Sequence, residues 1–311
     1  MKRILFSLIA FLSASFISAQ TPSIRLGVLK GISCAPCAYL IENRAKLSVQ
    51  NMAFKIYDSV QGELPALLKD ELDMGFISPK DAVKVFNKGA GAIVAVGVVQ
   101  SGNLYFLTND EMYLNLENLK GKNVVCAEND YGDAAVLEHV LLRRNISVGT
   151  DEDSVKLDFS LPTANIANGL ILGNIQYAFV SEPFATVALL HSSKTYRIES
   201  IQKLYSDNEQ GSSIPVMLLV ARADFAKDNA SVIRKFTDVY KSAVSWTNKN
   251  PAKAGLLIEK HSFGLNSYVA GSSIPNAALV WRDAGSAKTD IEKFLTIVKS
   301  ELPSGDFYIN H

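Results

Sequence analysis

The sequence predicts an α/β protein made of two similar lobes. The main support is a phrase that occurs twice without a gap, at residues 67–78 (LLKDELDMGFIS) and at residues 170–181 (LILGNIQYAFVS). Each copy has the pattern of a helix end, a turn and a short apolar strand. Strand patterns also alternate with helical patterns elsewhere in the chain, which is typical of βα units in a mostly parallel sheet.

The first part of the chain alternates between apolar runs and helical periodicity. Leucines spaced three or four residues apart, among them Leu64 and Leu68, indicate one face of a helix. Strands are predicted at residues 23–29, 53–57 and 93–99, and helices through residues 39–41, over residues 63–72 and over residues 79–87.

The middle and the end of the chain repeat this alternation and then become helical. Strands are predicted at residues 104–108, 123–127, 155–159 and 214–221, and helices over residues 133–144, over residues 232–246, from Pro251 onward and over residues 287–298. The polar stretch at residues 206–213 separates the second lobe from the return strand.

Two strands are interpreted as crossings between the lobes, which sets the predicted domain boundaries. Residues 20–105 together with residues 214–311 form lobe 1, and residues 106–213 form lobe 2. The crossing strands at residues 104–108 and 214–221 would form a hinge.

Both copies of the repeated phrase end in a serine close to a proline. Ser78 directly precedes Pro79, whereas Glu182 separates Ser181 from Pro183. Serine is a preferred helix N-cap and proline is favoured in a first turn. We therefore expect both serines to cap helices at the carboxyl ends of strands, which is where parallel sheets bind ligands.

The first 19 residues have the pattern of a secretory signal peptide. Lys2 and Arg3 precede an apolar run over residues 4–17, and Ala19 supplies a small residue for cleavage. No cysteine lies near that point, so no lipid anchor is expected, and no later run reaches the roughly 18 apolar residues of a membrane span. These features predict an exported, soluble protein of the periplasm.

Composition excludes one class of partner. The chain has 31 basic and 31 acidic side chains and no basic cluster, which argues against nucleic acid as a partner. A hydrophobic content of 48% is enough for a large buried core. The three cysteines are an odd number, so they cannot form a fully paired disulfide framework within one chain.

Several short motifs, in this order and spacing, resemble one family. They are IRLGVLKG at residues 24–31, LDMGF at residues 72–76, NLKGK at residues 118–122, SEPF at residues 181–184, a helix pair joined at Asn250 and Pro251, and SIPN at residues 273–276. The chain resembles the ABC-transporter substrate-binding proteins of the nitrate/sulfonate/taurine type, which share a fold with thiamine-pyrimidine-binding proteins.

The resemblance covers nearly the whole mature chain and implies both fold and function. The implied fold is the type II periplasmic-binding-protein fold, with two Rossmann-like lobes and a two-strand hinge. The implied function is capture of a small molecule by hinge closure and its delivery to ABC permease subunits in the membrane. Neither an enzymatic activity nor a cofactor is implied, and a monomer is expected.

The resemblance also implies which positions hold the ligand. They are the loop after the first strand, the end of the first repeat copy, the opening loop of lobe 2 and the end of the second copy. To these we add two residues at the expected hinge, Asn103 and Tyr105. The implied positions are Gly31, Ile32, Ser33 and Cys34; Ser78; Asn129, Asp130, Tyr131 and Gly132; and Ser181 with Glu182.

Each of these positions also has a purely structural interpretation. Ser78 and Ser181 could cap helices without touching a ligand, and Tyr131 could cover the lobe surface instead of stacking on a ring. Glu182 could serve only as a first-turn residue that interacts with the helix dipole.

Two carboxylates near the expected site bear on the class of ligand. Asp130 and Glu182 would repel an oxyanion such as nitrate or a sulfonate, which prefers arginine, lysine or bare N–H groups. The same carboxylates would accept the amino groups of a pyrimidine. The sequence therefore predicts a small neutral or amine-bearing ring compound, such as a thiamine-precursor pyrimidine, with a sulfonate, taurine or nitrate as the alternative.

Cys34 and Cys37 form a C-x-x-C motif between a strand and a helix. This spacing resembles a thioredoxin active site, but nothing else in the chain supports a redox enzyme. A local disulfide between them is the alternative in an oxidising compartment. One C-x-x-C and four scattered histidines do not complete a zinc site. Cys126 is expected to be a buried small residue of a strand.

An enzyme and a receptor partner are the two functional alternatives to a transport protein. Fungal thiamine-pyrimidine synthases share the implied fold but use an internal histidine and a cysteine-rich iron motif, which this chain lacks. A ligand-sensing partner of a membrane receptor has the same sequence features as a transport protein.

Overall fold

Two β-sheets, joined by two passages of the chain, organise the protein. The structure is a computed structural model, and it describes residues 24–47, 51–113, 115–127 and 132–309. The signal peptide predicted for residues 1–19 lies outside these ranges. Within them, no helix is both long enough and apolar enough to span a membrane.

In the described chain, a six-stranded sheet (sheet A) and a five-stranded sheet (sheet B) contain all the named strands. The strands are β1 (Arg25–Leu29), β2 (Ala53–Tyr57), β3 (Met74–Ile77), β4 (Ile93–Ser101), β5 (Leu104–Thr108), β6 (Asn123–Cys126), β7 (Lys156–Asp158), β8 (Tyr177–Ser181), β9 (Tyr196–Ser200), β10 (Pro215–Arg222) and β11 (Leu279–Asp283). Sheet A has the order β11-β4-β10-β3-β1-β2, and sheet B has the order β7-β6-β8-β5-β9.

Helices connect most of these strands and cover both sheets. They are α1 (Ala35–Glu42), α2 (Val60–Leu68), α3 (Pro79–Lys88), α4 (Asp133–Leu142), α5 (Thr163–Leu172), α6 (Phe184–His191), α7 (Ile201–Asn208), α8 (Ala223–Asp228), α9 (Ala230–Lys249), α10 (Pro251–Lys260), α11 (Ser267–Ser273) and α12 (Ala284–Ile297). Short 3₁₀ helices span Ile32–Cys34, Leu116–Leu119 and Ile274–Asn276.

Each sheet has three parallel strands on one side and antiparallel pairings on the other side. In sheet A, β1 pairs in parallel with β2 and β3, and β10 pairs antiparallel with β3 and β4. In sheet B, β6 pairs in parallel with β7 and β8, and β5 pairs antiparallel with β8 and β9. The chain leaves sheet A after β4, enters sheet B at β5, and returns to sheet A at β10.

The two copies of the repeated phrase occupy equivalent places in the two sheets. The first copy ends α2 and contains β3, and the second ends α5 and contains β8. Every residue of β3 is buried, and every residue of β8 is buried except its last, Ser181. Helix α3 follows β3, and helix α6 follows β8. The α/β class and the alternation of strands and helices predicted from the sequence are confirmed.

Local sequence explains where α3 begins and ends. Ser78 is its N-cap and Pro79 occupies its first turn, where the missing N–H costs nothing. Ala82, Val83 and Phe86 share one face and are buried against the core. The helix ends at Lys88, and Gly89 is its C-cap residue.

Some predicted element bounds are wrong, and tertiary contacts explain why. The helix predicted over residues 63–72 is α2, which ends at Leu68, and Asp70 then takes a left-handed backbone conformation at φ 62°. The polar stretch at residues 206–213 was predicted to be a separator, but α7 extends into it to Asn208, because Leu204 and Tyr205 are buried in the core.

Candidate functional site

The expected site lies where β1 and β3 end in sheet A and where β6 and β8 end in sheet B. Gly31 follows β1, Ser78 follows β3, and Ser181 is the last residue of β8. Residues 128–131 follow β6 in the sequence and lie outside the described residues. The predicted contacts Asn129, Asp130 and Tyr131 therefore have no structural description here.

The loop after β1 is held by the segment that follows α10 and by a buried glutamine of β4. The Gly31 N–H donates to the Phe263 carbonyl over 2.9 Å. The Ser33 hydroxyl donates to Oε1 of Gln100 over 2.7 Å, and Nε2 of Gln100 donates to the carbonyl of Ala277 over 2.8 Å. Gln100 was not predicted from the sequence, since one glutamine within an apolar strand gives no functional pattern.

Two residues predicted in this loop face the core. Ile32 and Cys34 are buried, and both belong to the apolar cluster that contains Leu26 and Val28 of β1. Their side chains therefore support the loop from below. Gly31 differs, because a side chain built at its position would meet nothing within 4 Å, so its backbone borders open space.

The possible disulfide between Cys34 and Cys37 is not formed in this structure. Both thiols are free and fully buried. Burial raises the pKa of the Cys34 thiol, and it raises the pKa of Cys37 well above its usual value. A redox-active C-x-x-C needs an accessible thiol of low pKa, so the geometry disfavours thioredoxin-like chemistry. The prediction that Cys126 is buried is confirmed.

Ser78 caps α3 as predicted, and the cap uses its whole hydroxyl. Its oxygen accepts the N–H of Asp81 over 3.1 Å, and its proton is donated to Oδ2 of Asp81 over 2.8 Å. The residue has no exposed surface. In this arrangement Ser78 supports the end of β3 and does not offer its side chain to a ligand.

The second copy of the phrase uses a different cap, so the cap predicted for Ser181 is wrong. The N-cap residue of α6 is Pro183, which follows a cis peptide bond after Glu182. Oε2 of Glu182 accepts the N–H of Thr186 over 3.0 Å, which supplies an acceptor for the first turn of α6. The residue inserted between Ser181 and Pro183 thus takes the acceptor role that Ser78 has in the first copy.

Glu182 is buried and paired with a cation. Oε1 of its carboxylate accepts a hydrogen bond from Nη2 of Arg197 on β9 over 2.5 Å. Burial raises the pKa of Glu182, and the Arg197 charge opposes this shift without cancelling it. Arg197 was not predicted as a site residue, because its contact with Glu182 depends on the pairing of β9 and β8 with β5.

Arg197 also connects Glu182 to the other sheet through Tyr105. Its guanidinium lies 4.2 Å from the centre of the Tyr105 ring. The Tyr105 hydroxyl donates to the carbonyl of Asn276 over 2.7 Å, and Asn276 precedes β11 of sheet A. The residues Glu182, Arg197, Tyr105 and Asn276 therefore form a continuous chain of contacts from sheet B to sheet A.

Two of the predicted ligand residues keep uncommitted polar groups. Asn103 and Ser181 are both half-buried, and neither side chain has a hydrogen-bond partner among the described residues. They are neighbours, because β5 pairs Leu104 with Ser181, and the carbonyl of Asn103 accepts the N–H of Glu182 over 3.0 Å. An amide and a hydroxyl are thus available side by side at this strand end.

Gly132 begins α4 and has no room for a side chain. Its φ of 94° lies in the left-handed region, and a Cβ at this position would lie 2.5 Å from Cγ1 of Val298. Val298 follows α12, so the end of this helix packs beneath the start of α4. Gly132 therefore fixes the start of α4 against the residue that follows α12.

A buried carboxyl group on α2 packs against β1 and β3 of sheet A. Oε1 of Glu63 accepts the N–H of Phe76 over 3.2 Å, and a Cβ at Gly27 or Gly75 would collide with this carboxyl group. Burial raises the pKa of Glu63 to about 8. Glu63 is therefore uncharged at neutral pH and adds no negative charge beneath the loop.

The described residues form no cluster suited to a metal ion: no group of three or more histidine, cysteine, aspartate or glutamate side chains could hold one. The charged groups described at the strand ends are paired or protonated, and the free polar groups are neutral. This arrangement is suited to reversible binding of a small polar molecule.

One family model matches the chain over residues 41–256. It describes the ABC-transporter phosphonate periplasmic substrate-binding protein. No curated protein sequence matches the chain.

Solved structures with similar folds cover nearly the whole chain at low sequence identity. An ABC transporter from Parabacteroides distasonis has a TM-score of 0.77 and 19% identity, with 93% of this chain and 99% of that chain covered. The periplasmic aliphatic sulphonate-binding protein SsuA from Escherichia coli has a TM-score of 0.67 and 15% identity, with coverage of 91% and 94%. The alkanesulfonate-binding protein SsuA from Xanthomonas axonopodis pv. citri, bound to MOPS, has a TM-score of 0.60 and 14% identity, with coverage of 91% and 95%.

Proposed function

Because this chain belongs to the family of phosphonate-type periplasmic substrate-binding proteins of ABC transporters, we propose that it captures a small organic oxyanion and presents it to a membrane permease. The cargo would be a phosphonate or a sulfonate, held between the strand ends of sheets A and B. Members of this family are binding proteins, and we propose no catalytic step.

One observation carries the choice of an oxyanion. The carboxylate of Glu182, which the sequence suggested would repel anions, is buried and neutralised by Arg197. The groups left available beside it are the amide of Asn103 and the hydroxyl of Ser181. Neutral donors of this kind, together with backbone N–H groups at helix starts, are well suited to the oxygens of a phosphonate or sulfonate.

The amine-bearing ring compound predicted from the sequence is the second candidate. It now depends on Asp130 as the acceptor for an amino group and on Tyr131 as a stacking surface, both of which lie outside the described residues. A thiamine-precursor pyrimidine is the leading example of this class.

Capture would depend on closure of the two lobes about the hinge. We propose that residues 20–105 with residues 214–311 move as one lobe and residues 106–213 as the other. The two passages between the sheets, after β4 and before β10, support these boundaries. Residues 1–19 would direct the chain to the periplasm, where the family operates, and would then be removed.

A thermal-shift panel tests the proposal. Methylphosphonate, taurine, an alkanesulfonate and nitrate form one arm, and 4-aminopyrimidines form the other. We expect an increase in Tm with a phosphonate or a sulfonate from the first arm. Stabilisation only by aminopyrimidines would select the second candidate, and no shift with any phosphonate or sulfonate would refute the oxyanion.

Variants at the strand ends then locate the site. Asn103→Ala and Ser181→Ala should each weaken binding of the stabilising oxyanion by about tenfold, the value of one hydrogen bond to a charged group. Ser231→Ala, at an exposed serine of α9, is the matched control and should leave the affinity unchanged. Equal affinities in all three variants would contradict the site assignment.

A further inference from the structure

Sheet B carries a second cavity, away from the strand ends that form the proposed cargo site. This lateral cavity has a volume of about 580 Å³ and is lined by residues that include Tyr113, Leu116, Arg144, Ile198 and Glu199. It lies beyond the end of α4, which begins at the cargo site and is ten residues, or roughly 15 Å, long. Its volume is within the range of ordinary small-molecule sites.

Arg144 contributes a guanidinium with an unused hydrogen-bonding edge. Its Nε is buried and has no hydrogen-bond partner in the described chain. The nearest carboxylate oxygen belongs to Asp207, at 3.8 Å from Nη2, which is too long for a hydrogen bond. The Nε–Nη edge of arginine matches the two oxygens of a carboxylate.

Tyr113 contributes a second unused donor. Tyr113 is only 9% exposed, and its buried hydroxyl has no hydrogen-bond partner among the described residues. Burial and the nearby Glu199 carboxylate raise the pKa of Tyr113, so the hydroxyl stays protonated and able to donate. A buried hydroxyl without a protein partner is able to donate a hydrogen bond to a ligand oxygen.

Glu199 supplies the negative charge of the cavity. One carboxylate oxygen accepts the N–H of Ser200 over 3.1 Å, and no basic side chain in the described ranges forms a salt bridge with it. The neighbouring charges are already paired: Lys203 with Asp207 at 2.8 Å and Glu117 with Lys120 at 2.5 Å. Glu199 is therefore free to bind an ammonium group.

The other lining residues are four apolar side chains together with Asn115 and Glu117. Leu116, Ile146, Ile198 and Leu204 line the cavity, and Ile198 is 39% exposed on the edge strand β9. A bulge in the pairing of β5 with β9 falls at Ile198, so this side chain is displaced from the regular ladder. An aliphatic group on a ligand would cover these side chains.

From these four features we propose that the lateral cavity binds a small aliphatic α-amino acid. The carboxylate lies on Arg144 and the Tyr113 hydroxyl, the ammonium group lies on Glu199, and the aliphatic side chain covers Leu116 and Ile198. This site is independent of the cargo site, so the two can be tested separately.

Isothermal titration of the full-length mature protein with L-leucine tests the site. We expect saturable binding of one molecule, and binding should weaken about tenfold or more with either 4-methylpentanoate, which lacks the ammonium group, or isoamylamine, which lacks the carboxylate. Arg144→Met, Tyr113→Phe and Glu199→Gln should each cause a similar loss. Arg143→Met, at the preceding exposed arginine, is the matched control and should bind like the unmodified protein.

The outcomes separate this site from the cargo site. Loss of leucine binding in the three lateral variants, with normal binding in Arg143→Met and Asn103→Ala, would establish the proposal. Binding that is lost in Asn103→Ala but kept in Arg144→Met would place leucine in the cargo site and overturn it. Absence of heat at about 10 mM leucine would also overturn it, whatever the result with phosphonates or sulfonates.

Discussion

Nη2 of Arg197 lies 2.5 Å from Oε1 of Glu182, and both side chains are largely or completely shielded from solvent. The pair lies directly after β8, at the position where the second copy of the repeated phrase has one more residue before its proline than the first copy has. In the first copy a serine side chain accepts a hydrogen bond from a free backbone N–H in the first turn of the following helix. In the second copy a buried carboxylate does so, and it requires a cation to balance its charge.

Arg197→Met should destabilise the protein markedly. It leaves the Glu182 carboxylate buried without its cation, which typically costs about 3 kcal/mol of unfolding free energy. The double variant Arg197→Met with Glu182→Gln should recover part of this loss, since no buried charge is left. Urea denaturation at pH 7 measures both. Lys203→Met, which removes an exposed pair, is the control and should lower stability much less than Arg197→Met does; equal losses in the two variants would contradict this explanation.

Glu63→Gln should stabilise the protein at alkaline pH. The folded-state pKa of Glu63 is about 8, whereas an unfolded glutamate titrates near 4.3. Between these values the folded state holds a proton that the unfolded state has lost, so this group lowers stability as pH rises towards 8.

The glutamine variant keeps an acceptor for the Phe76 N–H and removes the titration. Its advantage over the unmodified protein should grow from pH 5 to pH 8 and reach on the order of 3 kcal/mol. Urea denaturation across this range measures it. A stability difference for Glu63→Gln that stays constant across this pH range would refute the assigned pKa.

Gly132→Ala should destabilise the junction between α4 and α12. The left-handed backbone costs a residue with a Cβ about 1–2 kcal/mol, and the new methyl group would collide with Val298. Adding Val298→Ala should relieve the collision but not the backbone cost. Thermal unfolding of the two variants measures the difference, and full recovery in the double variant would show that the backbone conformation is not strained.

Cys34 and Cys37 should be unreactive in the folded protein. Both thiols are buried and their pKa values are raised, so little thiolate is available for a thiol reagent. After denaturation without reductant, mass spectrometry should find all three cysteines alkylated. Alkylation of Cys126 alone would indicate a disulfide between the other two and contradict the structure.

The sequence predicted the fold through patterns that repeat locally. The strand predicted at residues 104–108 matches β5, and the cap and proline at Ser78 and Pro79 place the start of α3 correctly. Edge elements were missed, including β9 and β11, because single short strands with polar residues resemble loops. Their assignment needs the neighbouring strand that pairs with them.

The candidate site was predicted less completely than the fold. Asn103 and Ser181 lie side by side with free polar groups, whereas Cys34, Ile32 and Ser78 are buried. A motif identifies the loop in which a residue lies, but not which way its side chain points. That direction depends on the packing of the loop against residues far away in the chain, such as Gln100 beneath Ser33.

By itself, the sequence determined that this protein is an α/β protein with a repeated strand–helix unit in each half, because periodic burial and helix capping act between near neighbours. The tertiary structure decided the charge of the site. Glu182 became neutralised only when strand pairing brought Arg197, fifteen residues away, across β5 to the end of β8. The electrostatic energy of a carboxylate depends on its burial and its partner, and both of these are set by the register of the sheet.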